Sequence, residues 1–246
     1  MKKYLNQIVD KELNYGRHHI KRFTENIPDQ SVVLDVGGGY GNDLLTVKSN
    51  NSTAELVAVE CFAPYQKRLE EKKIRVCGVN IEREKLPFSD QSVDIIISNQ
   101  VFEHCKEIWW ITHEISRVLK VGGVFVLGVP NLASFHNRIL LMFGMQPTCI
   151  QNNSAHVRGY TKNDFLKFLN SGFREGYLLQ GFGGGNFYPF PPFLAKPLAS
   201  LFPAMAVGIF FKFVKRKEYS GGFLTFARAP ELESTNFYLG NATIER

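Results

Sequence analysis

The stretch VVLDVGGGYGNDLL, residues 32–45, decides the fold of this chain. Its β-branched beginning at 32–36 predicts a buried strand, and the apolar residues that resume at Leu44 predict a helix. The glycines between them permit a positive φ and carry no Cβ, so a ligand can touch the backbone there. A strand, a glycine-rich turn and a helix in this order form the ligand-holding corner of a doubly wound α/β sheet.

The spacing of these glycines departs from the dinucleotide fingerprint G-x-G-x-x-G, because Asn42 stands where the third glycine would be. The chain instead has G-x-G-x-G, formed by Gly37, Gly39 and Gly41 and preceded by the acid Asp35. A carboxylate just before the turn disfavours a pyrophosphate and suits a ligand with an ammonium group. This stretch resembles the first motif of class I S-adenosylmethionine-dependent methyltransferases. The alternatives are a nicotinamide-dependent enzyme and a purely structural glycine turn.

Composition sets broad limits on the protein. A chain of 246 residues with 44% hydrophobic residues predicts one globular α/β domain over 1–246. The net charge of +6 predicts a mild attraction to anions but is too diffuse to indicate nucleic acid. The four cysteines form no C-x-x-C pair, which fits a reducing cytoplasm and no structural zinc. Residues 1–16 carry charges throughout and contain no apolar core, so no signal peptide is expected. The expected location is the cytoplasm.

Strands and helices alternate along most of the chain, which predicts parallel βαβ units. The predicted strands are 32–36, 55–60, 74–79, 93–98, 124–129, 175–181 and 222–229. Between them, residues 107–119 predict a helix that ends in C-cap glycines at 122 and 123, and Thr161 begins another. The expected fold is a doubly wound, Rossmann-like, mostly parallel seven-stranded sheet with helices on both faces.

An acid at the end of the second predicted strand, Glu60, is placed where such folds hold ribose hydroxyls, and Phe62 could lie against adenine. The methyltransferase resemblance implies an adenine-side role for the run that begins at Asn80, where the family usually has aspartate. The full set of expected cofactor-binding residues is Asp35, Gly37, Gly38, Gly39, Gly41, Glu60, Cys61, Phe62, Asn80, Ile81, Glu82, Asn99 and Gln100. The expected cofactor is S-adenosyl-L-methionine.

Further motifs extend the resemblance over residues 32–173. They are LPF at 86–88, VD at 93–94, EH at 103–104, PNLAS at 130–134 and HVR at 156–158. The first three resemble small-molecule members of the family. The last two, together with NR at 137–138 and a helix that ends in GF at 172–173, look like a bacterial subgroup often associated with cell-surface glycan or lipid modification. The resemblance implies a small-molecule, glycan or lipid-linked acceptor, and O-methylation is the expected reaction.

Two histidines, His104 and His156, are the candidate catalytic residues, because both fall in loops that the fold places near the methyl group. A hydroxyl acceptor gains typically about 10²–10⁴-fold in rate from a general base. The alternative for each histidine is a local structural hydrogen bond. No H-E-x-x-H motif and no acid cluster is present in the sequence, so no metal site is expected.

Methylation of nucleic-acid bases is disfavoured, because it requires an Asn- or Asp-Pro-Pro-aromatic run after the fourth strand and residues 99–102 read NQVF. Protein arginine methylation is disfavoured too, since no paired-acid loop appears beside that strand. Two rival functions remain open: a nicotinamide-dependent oxidoreductase with the same fold, and a non-catalytic partner protein that binds adenosylmethionine.

The chain ends are less informative. Residues 1–30 predict a helical lead-in, in which Arg17 either reaches the cofactor's carboxylate or belongs to a solvated face. Residues 183–219 predict an apolar insertion or lid between the last two strands, and 231–246 a polar tail. The segment 188–217 is expected to cover the acceptor site and to touch a membrane surface peripherally; burial against the sheet or against a second subunit in a homodimer is the alternative. Its longest uncharged run, 197–211, is shorter than the roughly 20 residues of a spanning helix.

Overall fold

Seven strands form a single sheet in the computed structural model, which describes residues 10–227, 238 and 240. The strands are β1 Val32–Val36, β2 Glu55–Val59, β3 Arg75–Cys77, β4 Val93–Asn99, β5 Leu119–Pro130, β6 Tyr177–Gly185 and β7 Gly208–Lys215. Their order is β3-β2-β1-β4-β5-β7-β6. The strands β1 to β5 pair in parallel, whereas β7 is antiparallel to both β5 and β6. The sheet is therefore mixed, with a parallel majority as expected.

Helices cover both faces of this sheet. Among the described residues they are α1 Arg17–Phe23, α2 Asn42–Asn50, α3 Ala63–Glu71, α4 Ile108–Val118, α5 Phe135–Met142, α6 Lys162–Gly172, α7 Pro192–Leu201 and α8 Gly222–Phe226. Short 3₁₀ turns occur at Lys11–Tyr15, Phe102–His104, Thr148–Ile150 and Pro203–Met205. None of the helices within the described ranges is both long and apolar enough to cross a membrane.

The strand β1 is buried on both faces because its side chains alternate between two apolar cores. Leu34 joins the core built with α4 and α6, and Val33 joins the core built with α1, α2 and α3. The helix α4 turns Ile108, Ile111 and Ile115 into the first core. This two-sided packing holds the glycine turn after β1 on a rigid base.

The prediction for the last strand was wrong. Residues 222–226 form the helix α8, and 228–229 lie outside the described residues. The seventh strand is β7, which falls inside the predicted insertion at 183–219 and lies in the sheet interior between β5 and β6. Phe210 and Phe211 are fully buried there. A short run that is apolar at every position fits a strand covered on both faces as well as it fits a lid, so periodicity alone did not separate them.

Two smaller expectations also fail. Gly122 and Gly123 do not cap the helix, which ends at Val118; they belong to β5, where the pairing with β4 shifts register. The glycines at 183–185 do not open an insertion but form the end of β6. A Cβ on Gly183 would fall on the imidazole of His19, so these glycines let α1 pack directly on the strand. The predicted tail and the start of the lead-in, 1–9, lie outside the described residues, except for positions 238 and 240.

Two lysines, Lys212 and Lys215, lie in β7, and Lys215 is only 1% exposed. Its Nζ donates to the carbonyl oxygens of Ser116, in the last turn of α4, at 2.7 Å and of Leu119, directly after that helix, at 2.6 Å. Burial lowers the pKa of Lys215 to about 8, although Asp90 and Glu218 act in the opposite direction. This lysine therefore caps a helix from inside the protein.

We expect Lys215→Met to lower the free energy of unfolding by about 2–4 kcal/mol, because two buried carbonyls lose their donor. The difference in the free energy of unfolding between the wild type and the variant should grow as pH rises from 8 towards 10.5. Across that window the unfolded lysine still binds a proton that the native one has released, so deprotonation favours the native state. Urea unfolding at several pH values measures both effects.

The matched control is Lys167→Met, which removes an exposed lysine from α6. It should change stability by no more than about 0.5 kcal/mol. Equal losses in the two variants, or a gap that does not change with pH, would show that Lys215 is not a buried helix cap.

Candidate functional site

The turn after β1 is held closed by backbone hydrogen bonds. The amides of Gly37 and Gly38 both donate to the carbonyl of Val59, at 2.9 and 3.1 Å, and the amide of Gly41 donates to Gly38 at 2.8 Å. Gly37, Gly39 and Gly41 all have positive φ, between 48° and 83°. The turn is thereby fixed against β2 before any ligand binds.

The four glycines of this turn have different roles. A Cβ would lie 2.5 Å from Val101 at Gly37, 2.7 Å from Ala58 at Gly38 and 2.7 Å from Leu69 at Gly41. At Gly39 it would meet nothing nearer than a backbone oxygen at 3.9 Å. Three glycines are therefore required by packing and backbone conformation, whereas Gly39 borders the open space from which a ligand can approach.

The carboxylate of Glu60 lies beside that open position. One oxygen accepts from the amide of Gly39 at 3.0 Å and the other from the amide of Phe62 at 2.9 Å. The side chain thus joins the turn after β1 to the loop after β2, and it is half-buried. Two carboxylate oxygens offer about four lone-pair positions, so further donors can still bind.

A buried acidic pair lies at the base of the same turn. Asp35, in β1, is 3% exposed, and burial raises the pKa of its carboxyl well above the usual range, with smaller contributions from Asp43 and Glu60. Burial also raises the pKa of Asp43, although the hydrogen bonds from Asn99 and Arg17 oppose this. A buried carboxyl whose ionisation is disfavoured by burial and by two neighbouring acids suits a cationic ligand.

Arg17 and Asn99 both contact the second of these acids, Asp43. Arg17 pairs with Asp43 at 3.2 Å and with Glu12 at 2.6 Å, so its guanidinium is already engaged between acids. Asn99 donates to Asp43 at 2.8 Å. The Oδ1 of Asn99 and the Nε2 of Gln100 are buried without a hydrogen-bond partner among the described residues. Buried polar atoms are normally paired, so these two are available to a ligand.

The run after β3 is used mainly for structure. Asn80 Oδ1 accepts from the amide of Glu82 at 2.9 Å and closes a turn. The carboxylate of Glu82 accepts from the amides of Lys106 at 2.6 Å and Glu107 at 2.9 Å, just before α4. Ile81 packs on the main core. The side chains expected near adenine are therefore largely engaged with the protein, and the exposed Asn80 remains accessible.

Exposed aromatic rings flank Glu60. Phe62 is 53% exposed, and the ring of Tyr65 lies 5.1 Å from it and 4.8 Å from the ring of Tyr40. The exposed Cys61 lies between Glu60 and Phe62. Flat, accessible rings beside a carboxylate that can accept further hydrogen bonds suit a nucleoside. Tyr40 and Tyr65 were not predicted; the tyrosine inside the glycine turn was the available signal.

A second cluster forms just past the end of β4. The rings of His104 and His156 lie 4.7 Å apart although 51 residues separate them in sequence. His104 Nδ1 contacts the carbonyl of Ala155 at 3.3 Å, and His156 Nδ1 contacts that of Cys149 at 2.7 Å. Burial lowers the pKa of His104. The two candidate catalytic residues are thus brought together.

Glu103 completes this cluster and was not among the predicted site residues. It is 1% exposed, and one of its oxygens lies 4.0 Å from His104 Nε2. Burial raises the pKa of its carboxyl to about 8. Its place directly before a candidate histidine was the only sequence signal for it. A carboxyl and two imidazoles here can bind a proton or a cation.

Both clusters lie at one edge of the sheet. The glycine turn follows β1, Glu60 follows β2, and Asn99 and the Phe102–His104 turn follow from β4. The carboxyl ends of neighbouring parallel strands meet at a common edge, which is where doubly wound sheets bind ligands. The arrangement can therefore hold a nucleoside-like cofactor at one cluster and a second substrate near the other.

Comparison with known proteins agrees with this geometry. Residues 34–127 match a family described as a methyltransferase domain. An uncharacterized methyltransferase of Mycobacterium sp. (strain KMS) is 35% identical over 109 residues, which cover 42% of this chain and 40% of that protein. A malonyl-[acyl-carrier protein] O-methyltransferase of Methylococcus capsulatus is 30% identical over 99 residues, covering 39% of this chain and 36% of that protein.

The fold is shared more widely than the sequence. A methyltransferase from Aquifex aeolicus that depends on S-adenosylmethionine superposes with a TM-score of 0.56 at 15% identity, covering 87% of this chain and 97% of that one. The chain spans less than half the length of the curated relatives it matches. The region matched in sequence is the one that carries the glycine turn, Glu60 and the end of β4. Residues 34–127 are therefore similar to a methyltransferase domain, and the fold is the one that S-adenosylmethionine-dependent methyltransferases share.

Proposed function

We propose that the protein transfers a methyl group from S-adenosylmethionine to an oxygen of a small-molecule, glycan or lipid-linked acceptor. The observation that carries the proposal is the open face of Gly39 beside the Glu60 carboxylate, at the sheet edge that also presents the histidine pair. Bound S-adenosylmethionine supplies a methyl carbon on a positively charged sulfur, which an acceptor lone pair attacks as the carbon–sulfur bond breaks.

The residues present fit this cofactor. Glu60 can accept from the two ribose hydroxyls while the ring of Phe62 lies against the adenine. Asp35 and Asp43 form an acidic base that favours the ammonium group. Asn99 Oδ1 is a buried acceptor without a partner among the described residues, so it has a lone pair for the cofactor. Each group is already fixed by the sheet, so binding requires little rearrangement.

Catalysis would come mainly from alignment. Holding the acceptor in line with the methyl carbon can supply about 7–11 kcal/mol of barrier reduction. His104 and His156 each hold a backbone carbonyl through Nδ1, which leaves both Nε2 atoms to position an acceptor hydroxyl. The similarity to a malonyl-[acyl-carrier protein] O-methyltransferase, though confined to part of each chain, supports an oxygen acceptor.

A peripheral membrane contact belongs to the proposal as well. The helices α5 and α7 border one small core around Phe187 and turn large apolar side chains outward. Six apolar side chains on these helices or directly after them are more than half exposed, and we name this set the apolar rim: Leu141, Met142, Phe143, Phe193, Leu201 and Phe202. A cavity of about 550 Å³ beside α7 is lined by the cations Arg22 and Lys196. Apolar side chains beside cations suit an anionic lipid surface.

The activity is tested with methyl-labelled S-adenosylmethionine. The full chain is incubated with soluble, polysaccharide and lipid extracts of bacterial cells. We expect label in one fraction and an equal amount of S-adenosylhomocysteine. Cofactor binding without label in any fraction would favour the non-catalytic partner function. Failure to bind the cofactor, with quenching of nicotinamide fluorescence instead, would favour the oxidoreductase.

Two substitutions test the cofactor site by calorimetry. Glu60→Ala should weaken binding of S-adenosylmethionine by about 1–3 kcal/mol, because charge-assisted hydrogen bonds to ribose are lost. Gly39→Ala should weaken it by about 10-fold or more, because a methyl group enters the open face while the backbone strain costs about 1–2 kcal/mol.

Each variant has a matched control. Glu55→Ala removes an acid from the opposite end of β2, where it pairs with Arg75 on the surface. Gly144→Ala imposes similar strain at a φ of 68° with nothing within 4 Å of the new Cβ. Both controls should bind the cofactor like the wild type. If the controls and the site variants lose affinity equally, the assignment of Glu60 and Gly39 is wrong.

Vesicle co-sedimentation tests the membrane contact. The double variant Phe193→Ser, Leu201→Ser should lose most of the binding to anionic vesicles, because both side chains are more than 70% exposed on α7. Leu178→Ser, which changes an exposed leucine on β6, is the control and should bind like the wild type. Wild-type protein that ignores anionic vesicles at low salt but elutes as a homodimer would contradict the membrane contact and assign the rim to a second subunit.

A further inference from the structure

We propose that Glu103, His104 and His156 form a binding site for a divalent transition-metal ion of the Zn²⁺ type. The three residues come from two separate segments, the 3₁₀ turn after β4 and the loop between α5 and α6. Nothing in the spacing of the sequence indicates such a site, because the third ligand follows the second only after 51 intervening residues.

The ligand atoms already lie close to a common centre. One atom from each residue falls within 4.8 Å of the other two, and the carboxylate oxygen of Glu103 lies 4.0 Å from His104 Nε2. Nitrogen and oxygen ligands bind Zn²⁺ at about 2.0–2.2 Å, which places them about 3–4 Å from one another. Small side-chain rotations therefore bring the three atoms into coordination.

The imidazoles are held in the tautomer that a metal requires. A carbonyl oxygen can only accept, so His104 donates its Nδ1–H to Ala155 and His156 donates its Nδ1–H to Cys149. The lone pair of each ring then lies on Nε2, free to bind an ion. Metal-binding histidines commonly donate their second nitrogen to a carbonyl or a carboxylate in this way.

The carboxyl of Glu103 supplies a second, independent observation. The side chain is 1% exposed, and its Oε2 has no hydrogen-bond partner among the described residues. A carboxylate that loses its water without gaining donors is costly, and buried charges are normally paired or bound to a metal. A cation between Glu103 and the two histidines removes this cost.

The donor set indicates which ions fit. Two imidazole nitrogens and one carboxylate oxygen suit Zn²⁺ and similar transition-metal ions, whereas Ca²⁺ and Mg²⁺ prefer sites made of oxygen atoms alone. His104 is 45% exposed in its side chain, so the fourth position faces solvent. Three protein ligands with an open position are typical of catalytic rather than structural zinc. In the proposed methyl transfer, the acceptor oxygen would occupy the open position, and the ion would lower the pKa of its hydroxyl. This role rests on the proposed function, whereas metal binding does not.

Metal binding is measured on the full chain without reference to activity. Chelator-treated protein is titrated with Zn²⁺ by calorimetry and with Co²⁺ by visible absorption. We expect one equivalent to bind, with a rise in melting temperature that grows with free metal. His104→Ala, His156→Ala and Glu103→Gln should each weaken binding by about 10–100-fold. His18→Ala, at an exposed histidine of α1, should leave it unchanged.

Three results would overturn the site. They are the absence of one-equivalent binding, binding that survives in all three ligand variants, and a thiolate charge-transfer band in the Co²⁺ spectrum, which would assign the ion to a cysteine. Circular dichroism checks that each variant folds. Calorimetry with S-adenosylmethionine on the same variants separates the two proposals, because the cofactor cluster contains none of the three ligands. Ligand variants that lose metal binding but still bind S-adenosylmethionine support the metal site. A wild-type protein that binds metal but does not bind S-adenosylmethionine overturns the proposed function and leaves the metal site standing.

Discussion

Parallel pairing of β1 with β2 on one side and β4 on the other is the constraint on which the rest of the structure depends. The register aligns Val36 with Val59 and Asp35 with Ile97, so the three strands end nearly level. Every loop that follows these strands then starts at the same edge. The open Gly39, the carboxylate of Glu60 and the histidine pair converge for this reason, and no contact among their side chains is needed to bring them together.

Charge at this edge is arranged in two separate groups. The group below the glycine turn contains Asp35, Asp43 and Glu60 against one guanidinium, that of Arg17, which Glu12 also engages. The group past β4 contains one buried carboxyl and two imidazoles. In the first group the acids outnumber the single guanidinium, which is the balance expected of a site that receives positive charge from outside.

The local parts of this design could be predicted from the sequence and the long-range parts could not. The strand, glycine turn and helix at 32–45 follow from residue type and spacing alone, and Glu60 follows from its place after the next strand. The hydrogen bond that joins Glu60 to Gly39, and the approach of His156 to His104, depend on packing between distant segments. The strand β7 was missed for a physical reason: a segment buried on both faces has no polar side to reveal its period.

The position of β7 has a consequence for how the chain reaches this structure. The strand β7 lies between β5 and β6 but follows both in sequence. The antiparallel pairing of β5 and of β6 with β7 therefore cannot form until residues 208–215 are available. During synthesis, β5 presents an unpaired edge whose neighbouring side chains, including Phe125 and Leu127, are fully buried in the finished protein. An apolar, unpaired edge is a site for wrong strand pairing. Between the completion of β5 and that of β7, the nascent chain therefore carries an apolar edge that is open to wrong strand pairing.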